Sequence, residues 1–340
     1  MDAVVDNAPD SGGRRTERFM DVRQMRYLVE IIEGASFSQA SRSLNIAQPA
    51  LSQQISRLEH DVGTPLLIRS SRGVSPTSAG RILYRQAKTI LRQIEQAMTS
   101  ARETKDVITG LVTLGLPPTT MANIGVALTE RLRESQPGIQ LNLVEGLSGD
   151  LQRQARAGDL DITVLFTQEG VPGWSCEALL REELFLVLPM DERYFPFETT
   201  SVSLREIAGL PLILPSSKHS LRRRIDMEFE RLEITIAPIA EIDSLTVLMQ
   251  CLARGMGATI KPSAAIKVHG MDLASRWRCL RVNDVSLTRV NYLYSSSATD
   301  HLPAARVVVD EINQLSHDLT ADGSWPGCTF IGQVLPRPKH

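Results

Sequence analysis

The sequence predicts an α/β protein with a separate all-α N-terminal part, the two joined by one long helix. Three observations support this fold class. Apolar residues recur at helical spacing over residues 20–106, the last stretch of that region lacks proline and glycine, and short apolar strands alternate with helices after Gly110. The length of 340 residues suits two or three domains of ordinary size.

The N-terminal part begins with three short amphipathic helices. Ser36 is placed to cap the second helix, and the third follows Asn45. Glycines and prolines between residues 62 and 77 flank two short extended segments, a pattern typical of a β-hairpin. Residues 1–19 are polar and are expected to be disordered. The residues expected to face inward include Met25, Leu28, Val29, Ile32, Phe37, Ala40, Leu44, Ala50, Leu51, Ile55 and Leu58.

A long helix is predicted from near Thr77 to about Asp106. Its inner positions alternate four and three residues apart, which is a heptad seam. A helix of this length indicates pairing with a second subunit, although packing on its own domain would produce the same pattern. The seam consists of Leu83, Ala87, Ile90, Ile94, Ala97 and Ala101.

The α/β part begins with an alternation of strands and helices, which predicts a parallel sheet built from βαβ units. The Gly/Pro-rich residues 318–340 are expected to form a flexible tail. The first strands are expected at Leu111–Leu116, Ile139–Glu145 and Leu160–Phe166, and helices at 121–135, 149–157 and 303–317.

Charge is distributed unevenly along the chain. The whole sequence has 37 basic and 39 acidic residues, a net charge of −2 that by itself argues against a nucleic-acid-binding protein. Residues 20–106 hold 12 basic and 8 acidic side chains, whereas residues 107–340 hold 22 and 27. A basic helical part and an acidic α/β part have the net charges expected of a DNA-binding domain joined to a ligand-sensing domain.

The four cysteines lie far apart, and no pair has the spacing of a zinc or redox motif. No metal and no cofactor are therefore expected, and the thiols are expected to be free in a reducing compartment. The sequence has no long apolar run that would span a membrane, and its first 19 residues lack the apolar stretch of a secretory signal. The expected location is cytoplasmic.

The second and third helices, joined by a short turn, form a candidate helix-turn-helix. The third helix begins near Gln48-Pro49, where proline is tolerated because first-turn N–H groups have no helical partner. Its outer face carries Gln48, Ser52, Gln53 and Ser56. Amides can contact base edges, and hydroxyls and free N–H groups can bind phosphates. The spacing alone leaves open an ordinary helical subdomain with a solvated polar face.

Residues 23–84 carry a more specific signal. The segments AQPALSQQI, PLLIR and Thr77-Ser78-Ala79-Gly80 occur in order within this block, which resembles the LysR-type transcriptional regulators. The resemblance extends over roughly residues 20–317. Within the family, stretches such as EELFLV (182–187) and LILPSSKHSLRRRID (212–226) are most similar to the nitrogen assimilation control subgroup.

The resemblance implies a winged helix-turn-helix, a linker helix that pairs two subunits, and a two-lobed effector domain like a periplasmic binding protein. It implies a homodimer or homotetramer on double-stranded promoter DNA with inverted repeats, acting on transcription with RNA polymerase as a further partner. The implied domains are an extension (1–19), a DNA-binding domain (20–78), a linker helix (79–106), an effector domain (110–317) and a tail (318–340). The positions implied to bind DNA are Ser36, Ser38, Gln48, Pro49, Ser52, Gln53, Arg69 and Arg72.

Hydroxyl groups follow four predicted strands of the α/β part, where helix N-termini would face a ligand. Such a site would suit an anionic or amide effector, and the resemblance places the inducer cleft there. Each residue would equally serve as a helix cap, and nitrogen-control regulators are able to act without an inducer. Lys261 stands where relatives have an apolar residue, and it would pair with an anion or lie at the sheet edge. The candidate effector residues are Thr119, Thr120, Ser148, Ser216, Ser217, His219, Ser244 and Thr246.

Two other classes of function fit the sequence less well than a DNA-binding regulator. An enzyme is disfavoured because the sequence lacks G-x-S-x-G, a phosphate-binding G-x-x-x-x-G-K-[S/T] loop, a G-x-G-x-x-G motif after a strand and H-E-x-x-H. A protein that only captures a solute would use the α/β part alone. The candidate DNA-binding head argues against that alternative.

Overall fold

The structure, a computed structural model, describes residues 20–71, 73–102, 108–269, 275–297, 299 and 302–334. Two compact units divide near Arg92. The predicted N-terminal extension (1–19), the C-terminal end of the predicted long helix (103–107) and the last six residues lie outside the described residues.

The N-terminal unit contains three helices and a hairpin. Asp21 caps α1 by accepting a hydrogen bond from the backbone N–H of Arg23, and Gln24 completes a capping box. The apolar faces of the three helices meet in one core that includes Leu28, Leu51, Ile55 and Leu58, as their spacing predicts. Ala50, also expected to face inward, is exposed in the first turn of α3. The elements are α1 (Val22–Glu33), α2 (Phe37–Ser43), α3 (Gln48–Val62), β1 (Leu67–Ser70), β2 (Gly73–Pro76) and the start of α4 (Ser78–Arg102).

Helix α4 packs closely on the segment that precedes the hairpin. Thr77 Oγ1 accepts a hydrogen bond from the Gly80 N–H and so caps the helix. A Cβ at position 80 would lie 1.9 Å from the Leu66 carbonyl oxygen, so this close approach requires glycine. Further along, Ala87 is fully buried against Met25 and Val29, whereas Ala97 and Met98 are exposed. The first half of the predicted seam therefore packs on its own unit.

The C-terminal unit is an α/β domain with two lobes. Its main sheet has the strand order β4-β3-β5-β12-β6-β11-β7, with β10 and β13 also paired to β6. The elements are β3 (Gly110–Leu116), α5 (Pro118–Ser135), β4 (Ile139–Glu145), α6 (Ser148–Ala157), β5 (Ile162–Leu165), β6 (Trp174–Pro189), β7 (Ser201–Val202), α7 (Leu204–Ala208), β8 (Ile213–Leu214), α8 (Ser220–Arg231), β9 (Ala240–Glu241), α9 (Leu245–Ala253), β10 (Thr259–Pro262), a 3-10 helix (Ser263–His269), β11 (Trp277–Val282), β12 (Thr288–Ser296), α10 (Pro303–Ala321) and β13 (Cys328–Phe330).

Strand β6 contributes to the cores of both lobes. Leu180 packs in the first lobe with Leu114 and Ile162, and Leu184 packs in the second lobe with Ile225 and other residues. The expected parallel sheet of βαβ units is present only in part of the main sheet. Strands β3, β4 and β5 are parallel, but β12 and β6 pair antiparallel with each other, and β12 also pairs antiparallel with β5.

The expected flexible tail also needs correction. Helix α10 continues to Ala321, Trp325 is buried in the core of the first lobe, and β13 pairs antiparallel with β6. The apolar side chains of this segment are buried against the first lobe. The free energy gained by this burial orders the segment despite its glycine and proline content. Among the described residues, no helix is long and apolar enough to cross a membrane.

Candidate nucleic-acid interface and ligand cleft

The exposed surface at the start of α3 is the candidate nucleic-acid interface. Ala47 precedes the helix and makes no side-chain capping bond, so the first N–H groups keep their capacity to donate. Gln48, Pro49 and Gln53 are exposed, and Ser52 is half-buried. Ser38 Oγ donates a hydrogen bond of 3.0 Å to Gln48 Oε1, which orients the amide. This end of the helix thus presents polar groups over an apolar core.

Arg69 connects the hairpin to α3. Its Nη1 donates a hydrogen bond of 2.9 Å to Ser52 Oγ, and its guanidinium lies 4.3 Å from the centroid of the Phe37 ring. Ser36 instead caps α2, since its Oγ accepts a hydrogen bond from the Gln39 N–H. Arg72 lies outside the described residues. The structure thus brings together Ser38 with Gln48 and Ser52 with Arg69.

The candidate ligand cleft lies within the C-terminal unit and has two adjoining chambers. The inner chamber has a volume of about 20 Å³, and the outer chamber has a volume of about 350 Å³. Residues lining the inner chamber include Thr119, Ser148, Phe166, His219, Lys261 and Arg289. Residues lining the outer chamber include Ser148, Arg153, Glu169, Ser216, Lys218 and Arg223.

Arg289 forms one wall of the inner chamber. It faces Glu182 across the β12–β6 pairing, and its Nε lies 2.6 Å from Glu182 Oε2. Its Nη2 donates to Thr119 Oγ1 at 3.0 Å, and its guanidinium lies 3.6 Å from the centroid of the Phe166 ring. Both members of this ion pair are buried, so each charge depends on the other for compensation.

Lys261 lies on β10 and is only 4% exposed, although it lines the inner chamber. No hydrogen bond or ion pair of its Nζ is found among the described residues. Burial and then the nearby positive charge of Arg289 lower the pKa of Lys261 to about 7, with Asp243 partly opposing the change. The side chain thus lies in the protein interior with no direct anionic partner among the described residues, and its charged form is disfavoured.

His219 and Asp243 also line the inner chamber. His219 Nδ1 accepts a hydrogen bond of 3.1 Å from the Leu221 N–H and so caps α8. Burial, with the charges of Lys261 and Arg289, lowers the pKa of His219 to about 4. The ring is therefore neutral at physiological pH and carries its proton on Nε2. Burial opposes ionisation of Asp243, but hydrogen bonds from the N–H and Oγ of Ser216 lower its pKa overall.

The eight predicted effector residues separate into two groups. Thr119, Ser148, Ser216 and His219 line the chambers, while Thr120, Ser217, Ser244 and Thr246 are not among the lining residues. Ser244 caps α9 through the N–H of Val247. The sequence reasoning missed Arg289, Phe166 and Asp243, which also line the inner chamber. The sequence carried no distinct signal for Arg289, because β12 mixes polar and apolar residues.

Two family models match the chain. Residues 22–81 match the bacterial regulatory helix-turn-helix protein of the lysR family, and residues 105–316 match the LysR substrate binding domain. Together with the helix-turn-helix and the two-lobed α/β domain, these matches show that the chain belongs to the LysR family of DNA-binding transcriptional regulators. It is a regulator and not an enzyme.

Individual relatives agree with this classification. The chain is 39% identical over 249 residues to the nitrogen assimilation regulatory protein nac of Klebsiella aerogenes, covering 73% of this chain and 80% of that protein. It is 38% identical over 249 residues, with the same coverage, to the protein of that name from Escherichia coli (strain K12).

The solved structures confirm the fold. A full-length OxyR variant from Pseudomonas aeruginosa matches with a TM-score of 0.68 at 20% identity, covering 88% of this chain and 95% of that chain. CbnR, a LysR family transcriptional regulator, matches with a TM-score of 0.61 at 17% identity, covering 87% and 99%.

Proposed function

We propose that this regulator binds promoter inverted repeats through Gln48, Pro49, Ser52 and Gln53 at the start of α3. The observation that carries the proposal is the pair of contacts that orient this surface, from Ser38 to Gln48 and from Arg69 to Ser52. Exposed amides held in place can contact base edges, and Arg69 and the free helix N–H groups suit phosphates. Ser36, Ser38 and Arg72 complete the proposed contact set.

The direct test is footprinting and affinity measurement on the DNA upstream of the protein's own gene. The double variant Gln48→Ala/Ser52→Ala is expected to lose about ten- to a hundredfold in operator affinity. Gln140→Ala, which removes an exposed amide from the C-terminal unit, is expected to leave that affinity unchanged. Sequence-dependent protection that is equal in all three proteins would refute the assignment.

We further propose that α4 and its continuation to residue 106 form the linker that pairs two subunits into a homodimer or homotetramer. Ala97 and Met98 in the second half of the helix support this, because a partner chain would bury these exposed apolar side chains. The domain boundaries then fall at 20–78 and 79–106, and the effector domain begins at 110 and extends beyond the expected 317 to include β13. Sedimentation of Ala97→Glu at micromolar concentration tests the pairing, and an unchanged assembly would contradict it.

We also propose that the regulated genes serve nitrogen metabolism, because relatives 38% and 39% identical are named nitrogen assimilation regulatory proteins. The C-terminal unit would then respond to a small anionic or amide effector in its cleft, and RNA polymerase would be the partner through which transcription changes. Transcript profiles with and without the gene, under nitrogen limitation and excess, test this assignment. Changes confined to unrelated genes would overturn it.

A further inference from the structure

Two strands carry the chain between the lobes of the C-terminal unit. Strand β6 leaves the first lobe, where Leu180 is buried, and enters the second, where Leu184 is buried. Strand β12 brings the chain back, from Leu287 in the core of the second lobe to Leu293 in the core of the first. Two-stranded ribbons take up more twist than wider sheets, so the β6–β12 joint is where the lobes can turn relative to each other.

The pairing of these two strands is irregular at the joint. Leu180 is opposite Asn291, whereas the next pair of residues is Ala178 and Tyr292. Leu179 is therefore an extra residue on β6, as in a β-bulge, which disrupts the ladder locally. Asn291 is completely buried, and its Oδ1 has no hydrogen-bond partner among the described residues. The joint is thus weakened at the point where the lobes meet.

The C-terminal segment pairs with the same stretch of β6 along its other edge. Strand β13 lies antiparallel to Leu180–Glu182. Beyond the two ends of that pairing, the Glu183 N–H donates to the Gly327 carbonyl oxygen at 2.8 Å, and the Ile331 N–H donates to the Leu179 carbonyl oxygen at 3.0 Å. The residue that has no partner on β12 therefore has one on the C-terminal segment.

This segment contacts the cores of both lobes. Trp325 is only 1% exposed and lies in the core of the first lobe. Gly327 approaches Phe185, which belongs to a core cluster of the second lobe. A Cβ at position 327 would lie 2.5 Å from the Phe185 ring, and the backbone there has a φ of +72°, so this approach requires glycine.

The 3-10 helix provides a further attachment. Its residues Ala264 and Ala265 lie in core clusters of the first and second lobe, respectively. Lys267 of the same helix donates through Nζ to the Ser324 carbonyl oxygen at 2.6 Å. The C-terminal segment is therefore attached to the first lobe, to the second lobe, to the joint between them and to a helix that packs on both.

We propose that residues 324–331 form a clasp that restrains the turning of the two lobes about the β6–β12 joint. A turn at the joint changes the twist of β6 where β13 is paired with it. The β13 hydrogen bonds would then have to break, or Trp325 would have to leave the core, and either change costs free energy. Movement of the lobes therefore requires the clasp to open. This inference depends neither on the DNA-binding surface nor on any ligand.

The test compares Thr329→Pro with Thr329→Ala in the full-length chain. Thr329 is opposite Arg181, and its side chain is exposed, so neither variant leaves a cavity. Bonded and non-bonded pairs alternate along an antiparallel ladder, which makes Thr329 and Arg181 a bonded pair like Gly327 and Glu183. Proline removes the N–H that this pair needs, whereas alanine keeps it.

Hydrogen–deuterium exchange measured by mass spectrometry is expected to show faster opening of the joint in Thr329→Pro. Peptides that cover Thr288–Asn291 of β12 are expected to exchange about tenfold faster or more. Within the described sheet β13 pairs with β6 and not with β12, so loss of the β13 pairing alone would not change these amides. Exchange in β3 of the first lobe and α8 of the second is expected to stay unchanged, and Thr329→Ala is expected to match the unmodified protein.

Three results would overturn the proposal. Faster exchange confined to β6 and β13 would mean that the segment only covers the first lobe. Equal acceleration in every peptide would indicate a general loss of stability. No change in β12 would show that the joint is not restrained by the clasp.

A second variant keeps the test decisive if Thr329→Pro does not fold. Gly327→Ala places a methyl group against the Phe185 ring and leaves every N–H of β13 in place. It is expected to accelerate exchange in the same β12 peptides, and an unchanged β12 in this variant would also overturn the proposal. Cooperative urea denaturation and an unchanged operator footprint are the controls for folding of the two units.

Discussion

The two candidate sites of this regulator place their chemistry differently. At the DNA-binding surface, Gln48, Gln53 and Arg69 are exposed above a core of apolar side chains. In the candidate ligand cleft, the basic side chains of Lys261 and Arg289 are buried. Polar groups at the first site remain hydrated before DNA binds, whereas those at the second lose water when the protein folds.

Because of this difference, substitutions at the exposed surface are expected to change binding alone. Substitutions in the buried cleft are expected to change the free energy of unfolding as well. Substitution of an exposed contact residue changes binding and leaves the free energy of unfolding within about 0.5 kcal/mol. Substitution of a buried charge changes the free energy of unfolding as well, because the native state carries its desolvation. Substitutions at both sites test this contrast, and their expected effects decrease from Glu182 to the serines of α2.

The largest effect is expected at Glu182. Glu182→Gln keeps the size of the side chain and removes the charge that compensates Arg289, so the buried guanidinium loses its anionic partner. We expect a loss of about 3–5 kcal/mol in the free energy of unfolding, measured by urea denaturation. Asp150→Asn provides the matched control in the exposed pair with Arg153 and is expected to cost about 1 kcal/mol or less. Equal losses in the two variants would show that burial does not set the energetics of these pairs.

The next effect has the opposite sign. Lys261→Met replaces a buried ammonium without a direct partner by an apolar side chain of similar length, so we expect a gain of about 1–4 kcal/mol near neutral pH. Lys267→Met is a matched control, because Lys267 Nζ donates to Asn123 Oδ1 and to the Ser324 carbonyl oxygen. That variant is expected to lose about 1 kcal/mol.

The pH dependence of this gain follows from the pKa of Lys261. The value of about 7 in the folded state lies below the ordinary value of 10.5, so the unfolded chain binds more protons between these limits. Stability of the unmodified protein therefore rises with pH over this window, and the advantage of Lys261→Met shrinks. Urea denaturation at several pH values checks the trend. An advantage that grows above pH 7 would contradict the burial of a charged Lys261.

The polar face at the start of α3, which is the proposed DNA-binding surface, was predictable because its determinants are local. Helical spacing identified Leu51, Ile55 and Leu58 as the inner face of α3, which left Gln48 and Ser52 on the polar side. The contact of Arg69 with Phe37 was not predictable, because it depends on how the hairpin is placed against α2. Hairpin geometry of that kind is a tertiary property.

The cleft was only partly predictable because its determinants lie far apart in the sequence. Hydroxyls after strands identified Thr119 and Ser148, which do line the inner chamber. Arg289 and Glu182 meet through the antiparallel register of β12 and β6, and the expected parallel sheet contained no such pairing. The buried position of Trp325 was missed for a similar reason, since composition does not show which surface the C-terminal segment covers.

The smallest effect distinguishes two serines of the DNA-binding unit. Ser36 caps α2 by accepting from the Gln39 N–H, whereas Ser38 is exposed and donates to Gln48. Ser36→Ala is therefore expected to lower the free energy of unfolding of this unit by about 1 kcal/mol. Ser38→Ala is expected to change it by less than about 0.5 kcal/mol and to weaken operator binding by releasing the Gln48 amide. Urea denaturation and operator titration of the two variants check both results. A larger loss of stability in Ser38→Ala would mean that contact residues on this surface also support the fold, which the contrast between the sites excludes.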